Sequence, residues 1–167
     1  MELAVTVNGP DRPGIVADVA EVLSGLGANL TDSTMTRLRG HFAMTLICST
    51  VAEPLDVERE LADLSDLVIT VREVGPDEES DVAGVQYVLS LHGADRLGIV
   101  ATVTRAVAAA GGNITDLSTR LIGPLYLLIA ELDLPASHVD SLRSRLDAIG
   151  EDLGVDISLR PAEMDVL

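Results

Sequence analysis

The 167-residue sequence is short of aromatic residues: it contains one Phe, two Tyr and no Trp, which is 2% of the chain. Any core must therefore be aliphatic, and the 47% apolar content is enough to build one. So few rings also leave little for stacking on nucleobases. Lys is absent, and 27 acidic residues against 11 Arg leave a net charge of −16, which repels a phosphate backbone. We expect no direct binding to nucleic acid.

Cysteine and long apolar runs are also scarce. Cys48 is the single cysteine, so no internal disulfide forms, which is typical of a reducing compartment. The first residues, MELAVTVNGPDRPG, have neither a basic start nor a long apolar stretch, and no run of 18 apolar residues occurs. We expect a cytoplasmic protein that does not enter a membrane.

Motifs for catalysis and metal binding are missing as well. The sequence has no GxSxG, no P-loop, no dinucleotide GxGxxG and no Cys-His nucleophile pattern, so we expect neither an enzyme nor a cofactor. His41, His92 and His138 are far apart in the pattern and without HxxxH spacing, so we expect no metal site. His92, at a strand end, is either a surface residue or a donor to a ligand oxygen.

A long internal repeat dominates the sequence. Residues 8–32 recur at an offset of 84, with 12 of 25 positions identical: Gly9, Asp11, Arg12, Gly14, Ile15, Val16, Ala17, Val19, Gly27, Asn29, Thr31 and Asp32. After a one-residue gap, Gly40 matches Gly123, which aligns FAMTLICS with LYLLIAEL. The repeat predicts domains at 1–75 and 85–162, an acidic linker at 76–84 and a C-terminal tail at 163–167.

Each half follows the same order of periodicities. A β-rich run is followed by apolar residues at helical spacing, two strands joined by a short turn, a second helix and a final strand. Pro13 suits the first helical position of its half, and Ser137 suits a helix cap in the other. The order βαββαβ predicts an α+β, ferredoxin-like fold in each half, with a four-stranded antiparallel sheet under two helices.

One strand of the second half is apolar on both faces, because two apolar sets alternate along it: Tyr126, Leu128 and Ala130 with Leu125, Leu127 and Ile129. A sheet of this kind leaves one face and an edge uncovered. We therefore expect a contact through the sheet face or edge, between the halves or between chains.

The βαββαβ order, the loops GPDRPGIV and GADRLGIV, and a Gly-x-Asn that begins the second strand of each half resemble the ACT domain. Two such domains without a catalytic domain resemble the glycine cleavage system transcriptional repressor group of amino-acid-binding regulators. The resemblance implies an amino-acid ligand, a protein partner and pairing of domains, with a homo-oligomer, a dimer, as the expected assembly. It also implies that the loop of one domain faces the Asn of another.

The chemistry of the loops fits a zwitterion. Free backbone N–H groups of Gly14, Ile15 and Val16 at a helix start attract a carboxylate, and the glycine removes bulk where the ligand approaches. Asp11 or Asp95 supplies an acceptor for an ammonium group. With the resemblance, the predicted ligand-binding set is Asp11, Arg12, Pro13, Gly14, Ile15, Asn29, Asp95, Arg96, Leu97, Gly98, Ile99 and Asn113.

Structural alternatives exist for the same residues. Asp11 alternatively caps its own helix, Arg12 is a solvated charge, Gly14 is required by packing, and Asn29 tolerates a left-handed turn. Three functions remain open from the sequence: an amino-acid-responsive regulator of a protein partner, a ligand-free pairing module, and a detached regulatory subunit of an amino-acid biosynthetic enzyme.

Overall fold

A computed structural model of the chain describes residues 1–75 and 84–162. It consists of two compact units, one in each half of the sequence. Both units follow the predicted order of strands and helices. The predicted linker lies outside the described residues except for Gly84, and the predicted tail at 163–167 lies outside them entirely. The domain boundaries therefore stay predictions.

The elements of the first unit are β1 (Glu2–Pro10), α1 (Ile15–Gly25), β2 (Asn29–Leu38), β3 (His41–Ser49), α2 (Pro54–Ala62) and β4 (Val68–Val74). Those of the second are β5 (Val85–Ala94), α3 (Ile99–Ala109), β6 (Asn113–Ile122), β7 (Leu125–Leu134), a 3-10 turn (Ala136–His138), α4 (Val139–Leu153) and β8 (Val155–Pro161). The sheet orders are β2-β3-β1-β4 and β6-β7-β5-β8, antiparallel throughout. Each unit is the predicted ferredoxin-like α+β fold.

Each unit has its own hydrophobic core on the helix side of its sheet. In β1, Leu3, Val5 and Val7 are fully buried and alternate with partly exposed residues, as one buried sheet face requires. Val19 and Leu23 of α1 complete the packing against them. The second core repeats this pattern with Leu89, Leu91, Ile99, Val103, Val107, Leu128, Leu132, Leu142 and Leu146.

The other face of the second sheet stays open, as predicted for β7. Leu128 and Ala130 are buried on the helix side, whereas Leu125 and Ile129 remain 40% and 53% exposed. The alternation is therefore as the sequence indicated. The contact that was expected to cover this face stays a prediction.

The repeat keeps one offset through the hairpin, so the predicted one-residue gap is wrong. Pro10 pairs with His41 and Ala94 pairs with Leu125, and each residue of the second pair lies 84 positions after its counterpart in the first. Each hairpin has a two-residue turn, in which Gly40 is the second residue and Gly123 the first. The two glycines are therefore not equivalent, and matching them shifted the strands that follow by one position.

Both predicted helix-start residues lie elsewhere. Helix α1 begins at Ile15, two residues after Pro13, and α4 begins at Val139, with Ser137 inside the preceding 3-10 turn. Gly14 has φ 89° and ψ −5°, the conformation of the second central residue of a type II turn. Pro13 therefore stands at the first central position of that turn, where its fixed φ is favourable.

Gly9, which recurs as Gly93, lies against the start of the last strand. A Cβ on Gly9 would approach the backbone oxygen of Asp66 to 2.6 Å and a methyl carbon of Leu67 to 2.8 Å. Because a backbone oxygen cannot move aside freely, we expect Gly9→Ala to lower the free energy of unfolding by about 1–3 kcal/mol. Urea denaturation measures the change.

Gly25 gives the matched control for that substitution. It ends α1, has no positive φ, and a Cβ there would meet nothing within 4 Å. Gly25→Ala should leave the stability unchanged or raise it by up to about 1 kcal/mol, because Ala is the better helix former. Equal urea midpoints for the Gly9 variant and the unmodified protein would contradict the close packing.

Candidate functional site

The two repeated loops start α1 and α3 in the same conformation. Gly14 and Gly98 cap the helices with φ of 89° and 84°, which residues with a side chain rarely adopt. A Cβ on Gly98 would meet nothing within 4 Å, so backbone conformation, not crowding, requires glycine there. The packing alternative for these glycines is therefore wrong, and the space beside each turn is open.

The first helical hydrogen bonds leave the preceding amides without a partner inside the helix, although Ile99 N–H donates to the Arg96 carbonyl at 3.4 Å across the turn. Asp18 N–H donates to the Gly14 carbonyl at 2.9 Å, and Thr102 N–H donates to the Gly98 carbonyl at 2.9 Å. The N–H groups before Asp18 and Thr102 therefore have no acceptor within their helices. They form the positive end of the helix dipole, to which a carboxylate is attracted.

Neither aspartate caps its helix. The caps of α1 and α3 have no side-chain hydrogen bond. Asp11 instead pairs through Oδ2 with Nη1 of Arg37, at 3.3 Å, near the end of β2. The capping alternative for Asp11 is therefore wrong, and neither carboxylate is used to cap the helix that follows it.

The first loop is braced by ion pairs. Besides the Asp11–Arg37 pair, Arg12 Nη1 lies 2.8 Å from Asp18 Oδ2 and donates to the Pro13 carbonyl at 3.3 Å. Arg12 is thus not only a solvated charge. Its guanidinium fixes the loop to the first turn of α1.

The second loop lacks these braces. Thr102 and Leu121 occupy the positions equivalent to Asp18 and Arg37 of the first unit, so neither ion pair can form. Asp95 and Arg96 make no ion pair within residues 1–75 and 84–162. Leu97, in place of Pro13, is fully exposed. The second loop is therefore held by fewer side-chain contacts than the first.

A cavity of about 530 Å³ lies over the second loop. Its lining comprises Asp95, Arg96, Leu97, Gly98, Ile99, Val100, Ala101 and Tyr126. The volume is within the range of small-molecule sites. Five of the predicted site residues thus line one hollow.

The sequence analysis missed three lining residues, Val100, Ala101 and Tyr126, of which Tyr126 is the one that comes from outside the loop and its helix. It pairs with Gly93 on β5 and is half-buried beside the loop. Its equivalent in the first unit is Phe42, which pairs with Gly9. The missed signal was the recurrence of an aromatic ring at the offset of 84, which the incorrect gap concealed.

The two predicted asparagines lie at the opposite end of the sheet from the loops. Asn29 pairs with Ser49, which also pairs with Glu2 at the start of β1, whereas Asp11 follows the end of that strand. The length of β1 places about 27 Å between these ends. Asn113 has the same position in the second unit. No single unit can therefore bring its own aspartate and asparagine to one ligand.

The asparagines do not occupy left-handed turns. Among the described residues with a side chain, only Arg39 and Asp66 have positive φ, so that alternative for Asn29 is wrong. Two residues after each Asn, the strand instead contains a β-bulge, at Thr31 in the first unit and at Thr115 in the second. Each Thr hydroxyl donates to a carbonyl across the sheet at 3.3 Å. Part of the repeated Asn-x-Thr-Asp pattern is therefore structural.

Two of the histidines have structural partners, and the single cysteine is buried. His92 Nε2 lies 3.4 Å from Asp156 Oδ2, and His138 Nδ1 lies 3.0 Å from the Ala110 carbonyl. Burial raises the pKa of the Cys48 thiol, which keeps it protonated at neutral pH. Over the described ranges, no cluster of three or more His, Cys, Asp or Glu could hold a metal ion.

Among the helices of residues 1–75 and 84–162, none has both the length and the apolar character that a membrane-spanning helix requires.

Sequence relatives match the chain both by half and along its length. A UPF0237 protein of Methanocaldococcus jannaschii is 36% identical over 74 residues, which is 43% of this chain and 82% of that protein. The phosphoserine phosphatase SerB2 of Mycobacterium tuberculosis is 28% identical over 168 aligned positions, which cover 95% of this chain and 40% of the enzyme. Similarity to the phosphatase therefore extends over both units.

Solved structures and a family model agree on the fold. An unknown protein from Galdieria sulphuraria superposes with a TM-score of 0.82 at 31% identity, covering 96% of this chain and 98% of that one. A proposed glycine cleavage system transcriptional repressor has the same fold, with a TM-score of 0.69, 21% identity and 95% coverage of both chains. The ACT domain model matches residues 2–72 and 86–160. The chain therefore belongs to the ACT domain family of small-molecule-binding regulatory domains, and carries two of them.

Proposed function

We propose that this protein is an amino-acid-responsive regulator whose ligand binds at the repeated loops. The amides before Asp18 and Thr102, which have no acceptor inside their helices, hold the ligand carboxylate, and Asp11 or Asp95 holds the ammonium group. The single observation that carries the proposal is that both aspartates precede a helix start without capping it. A carboxylate whose role was to stabilise the helix start would be expected to cap it.

The asparagines enter the site from a second copy of the chain. Asn29 begins β2, an edge strand, and Asp11 lies at the far end of that strand. Antiparallel pairing of two such edges places the end of one strand beside the start of the other. A homodimer joined in this way brings the loop of one copy to the Asn of its partner, and ligand bound there stabilises the dimer.

A protein partner receives the signal. The net charge of −16 disfavours contact with nucleic acid, so control of transcription would act through a bound protein. Ligand and partner binding must then change each other's free energy by the same amount.

A second candidate is a detached regulatory subunit of an amino-acid biosynthetic enzyme. The observation that favours it is the similarity to the phosphoserine phosphatase over 95% of this chain. Capture from the native host separates the two candidates. A transcription regulator retained in a ligand-dependent way supports the first, and a metabolic enzyme retained in that way supports the second.

A thermal-shift panel of the common amino acids tests ligand binding. At a concentration of 100 times Kd, the ligand should stabilise the protein by about 2.7 kcal/mol. The carboxamide and the N-acetyl derivative of the same amino acid are matched controls, since each removes one of the two charges that the loop recognises. Both should shift the midpoint far less than the parent amino acid. A panel in which no amino acid moves the midpoint favours the ligand-free pairing module.

A further inference from the structure

A hollow of about 400 Å³ lies on the open face of the second sheet, across β5 and β8. Three cross-strand pairs follow one another along it: Val88 with Arg160, Ser90 with Ser158, and His92 with Asp156. Directly opposed residues share a sheet face, and Leu89, Leu91 and Leu159 between them are buried on the other face. The volume is suited to a small molecule.

The two serines at the centre of the hollow already hold each other. Ser90 Oγ and Ser158 Oγ are 2.7 Å apart and partly buried. A hydroxyl pair uses one proton for this hydrogen bond, so the other hydroxyl proton remains available to an acceptor. The centre of the hollow therefore offers a directed donor.

Arg160 provides the charge at one end. It makes no ion pair or side-chain hydrogen bond with any residue the structure describes, although acidic residues outnumber Arg by 27 to 11. It follows Ser158 by two positions, about 7 Å along the strand, and a guanidinium reaches that distance. Its planar fork matches the oxygens of phosphate or carboxylate.

We propose that Arg160 and the hydroxyls of Ser90 and Ser158 form a binding site for a small oxyanion, a phosphate or carboxylate group. The His92–Asp156 pair determines where the anion lies. The carboxylate of Asp156 is four residues from Arg160, about 13 Å along β8, and it repels an anion from its own end of the hollow. This site is on the sheet face that the helices leave open, and it is independent of the amino-acid site at the loops.

Amide NMR spectra of the full chain, recorded during titration with inorganic phosphate at constant ionic strength, test the site. The amides of Ser90, Ser158 and Arg160 should shift in a saturable way. Arg160→Gln should weaken phosphate binding at least tenfold. Arg145→Gln is the matched control, because Arg145 is exposed on α4 of the same unit and its substitution removes the same charge. It should change the affinity less than twofold.

Additional titrations and variants show which anion the site binds and whether the proposed residues bind it. Acetate in place of phosphate shows whether the site takes carboxylates as well, and saturable shifts with either anion support the proposal. Ser158→Ala should weaken binding without changing the dispersion of the spectrum. The proposal is overturned if neither anion shifts these amides saturably, or if the Arg160 and Arg145 variants weaken binding equally. Asp95→Ala should leave the phosphate titration unchanged. The oxyanion site on the sheet and the amino-acid site at the loops can therefore be tested separately.

Discussion

Replacing Asp11 and Asp95 together by Ala should abolish the stabilisation that a bound amino acid provides. Each carboxylate is the charged acceptor proposed for the ligand ammonium, and removing it leaves that group without a partner. The gain of about 2.7 kcal/mol expected at 100 times Kd should fall close to zero. Urea unfolding with and without the amino acid identified in the panel measures the difference.

The same double variant should fold normally without ligand. Neither aspartate caps a helix, so neither helix loses a hydrogen bond at its start. The Asp11–Arg37 pair is exposed, with 67% of the Arg37 side chain accessible, and such pairs contribute about 1 kcal/mol or less. Asp56→Ala is the matched control, since it removes a carboxylate 3.4 Å from Arg59 and far along the chain from both loops. If the double variant responds to ligand as the unmodified protein does, the assignment of the ligand site to the two loops is wrong.

The two single variants should differ. Arg37 already neutralises Asp11, whereas Asp95 has no ion-pair partner among the described residues and lines the cavity of about 530 Å³. Asp95→Ala should therefore raise the ligand Kd more than Asp11→Ala does. An equal rise in Kd for the two variants would contradict the proposed difference between the ion-paired first loop and the unpaired second loop.

Replacing Leu46 by Ala should lower the free energy of unfolding of the first unit by about 2–5 kcal/mol. Leu46 is fully buried on β3, directly opposite Val5 of β1. Its removal leaves a cavity that the surrounding side chains fill only in part. The second unit has Ala130 at the equivalent position, so the substitution tests whether a core built around Leu tolerates the smaller residue.

Leu38→Ala is the control for that loss. It is the same substitution in the same unit, but Leu38 is 50% exposed at the end of β2. It should cost well under half as much, because less apolar surface leaves the core. Urea unfolding, together with amide exchange at Val5 and Val7, locates the destabilisation. Similar losses for the two variants would contradict the assigned core of the first unit.

The fold was predictable because its signals are local and occur twice. Alternation in β1 and helical spacing in α1 depend on near neighbours in the chain, and their repetition at 84 confirms the order of elements. The hairpins were misaligned by one residue because Gly40 and Gly123 were matched by type. The backbone geometry of a turn determines which of its two positions takes glycine. Matching two glycines by residue type therefore does not align the strands on either side of them.

The candidate site was predictable only in part. The loop residues lie in one short segment, and the structure brings Asp95, Arg96, Leu97, Gly98 and Ile99 to one cavity. Tyr126 lies 27 positions after Ile99 in the sequence and joins these residues through the pairing of β5 with β7. The braces of the first loop depend likewise on Arg37, which is distant in sequence from Asp11.

The duplication, the order of elements in each half, the aliphatic cores and the two loops could be predicted from the amino-acid sequence, because each depends on spacing between nearby residues. Tertiary structure alone decided the register of the hairpins, the separation of each asparagine from its own loop, and the difference between a braced loop and an open one. These depend on which strands pair and which ends of a sheet coincide. These features are established by contacts between residues that are distant in the sequence. Local sequence patterns do not predict which distant residues will be in contact.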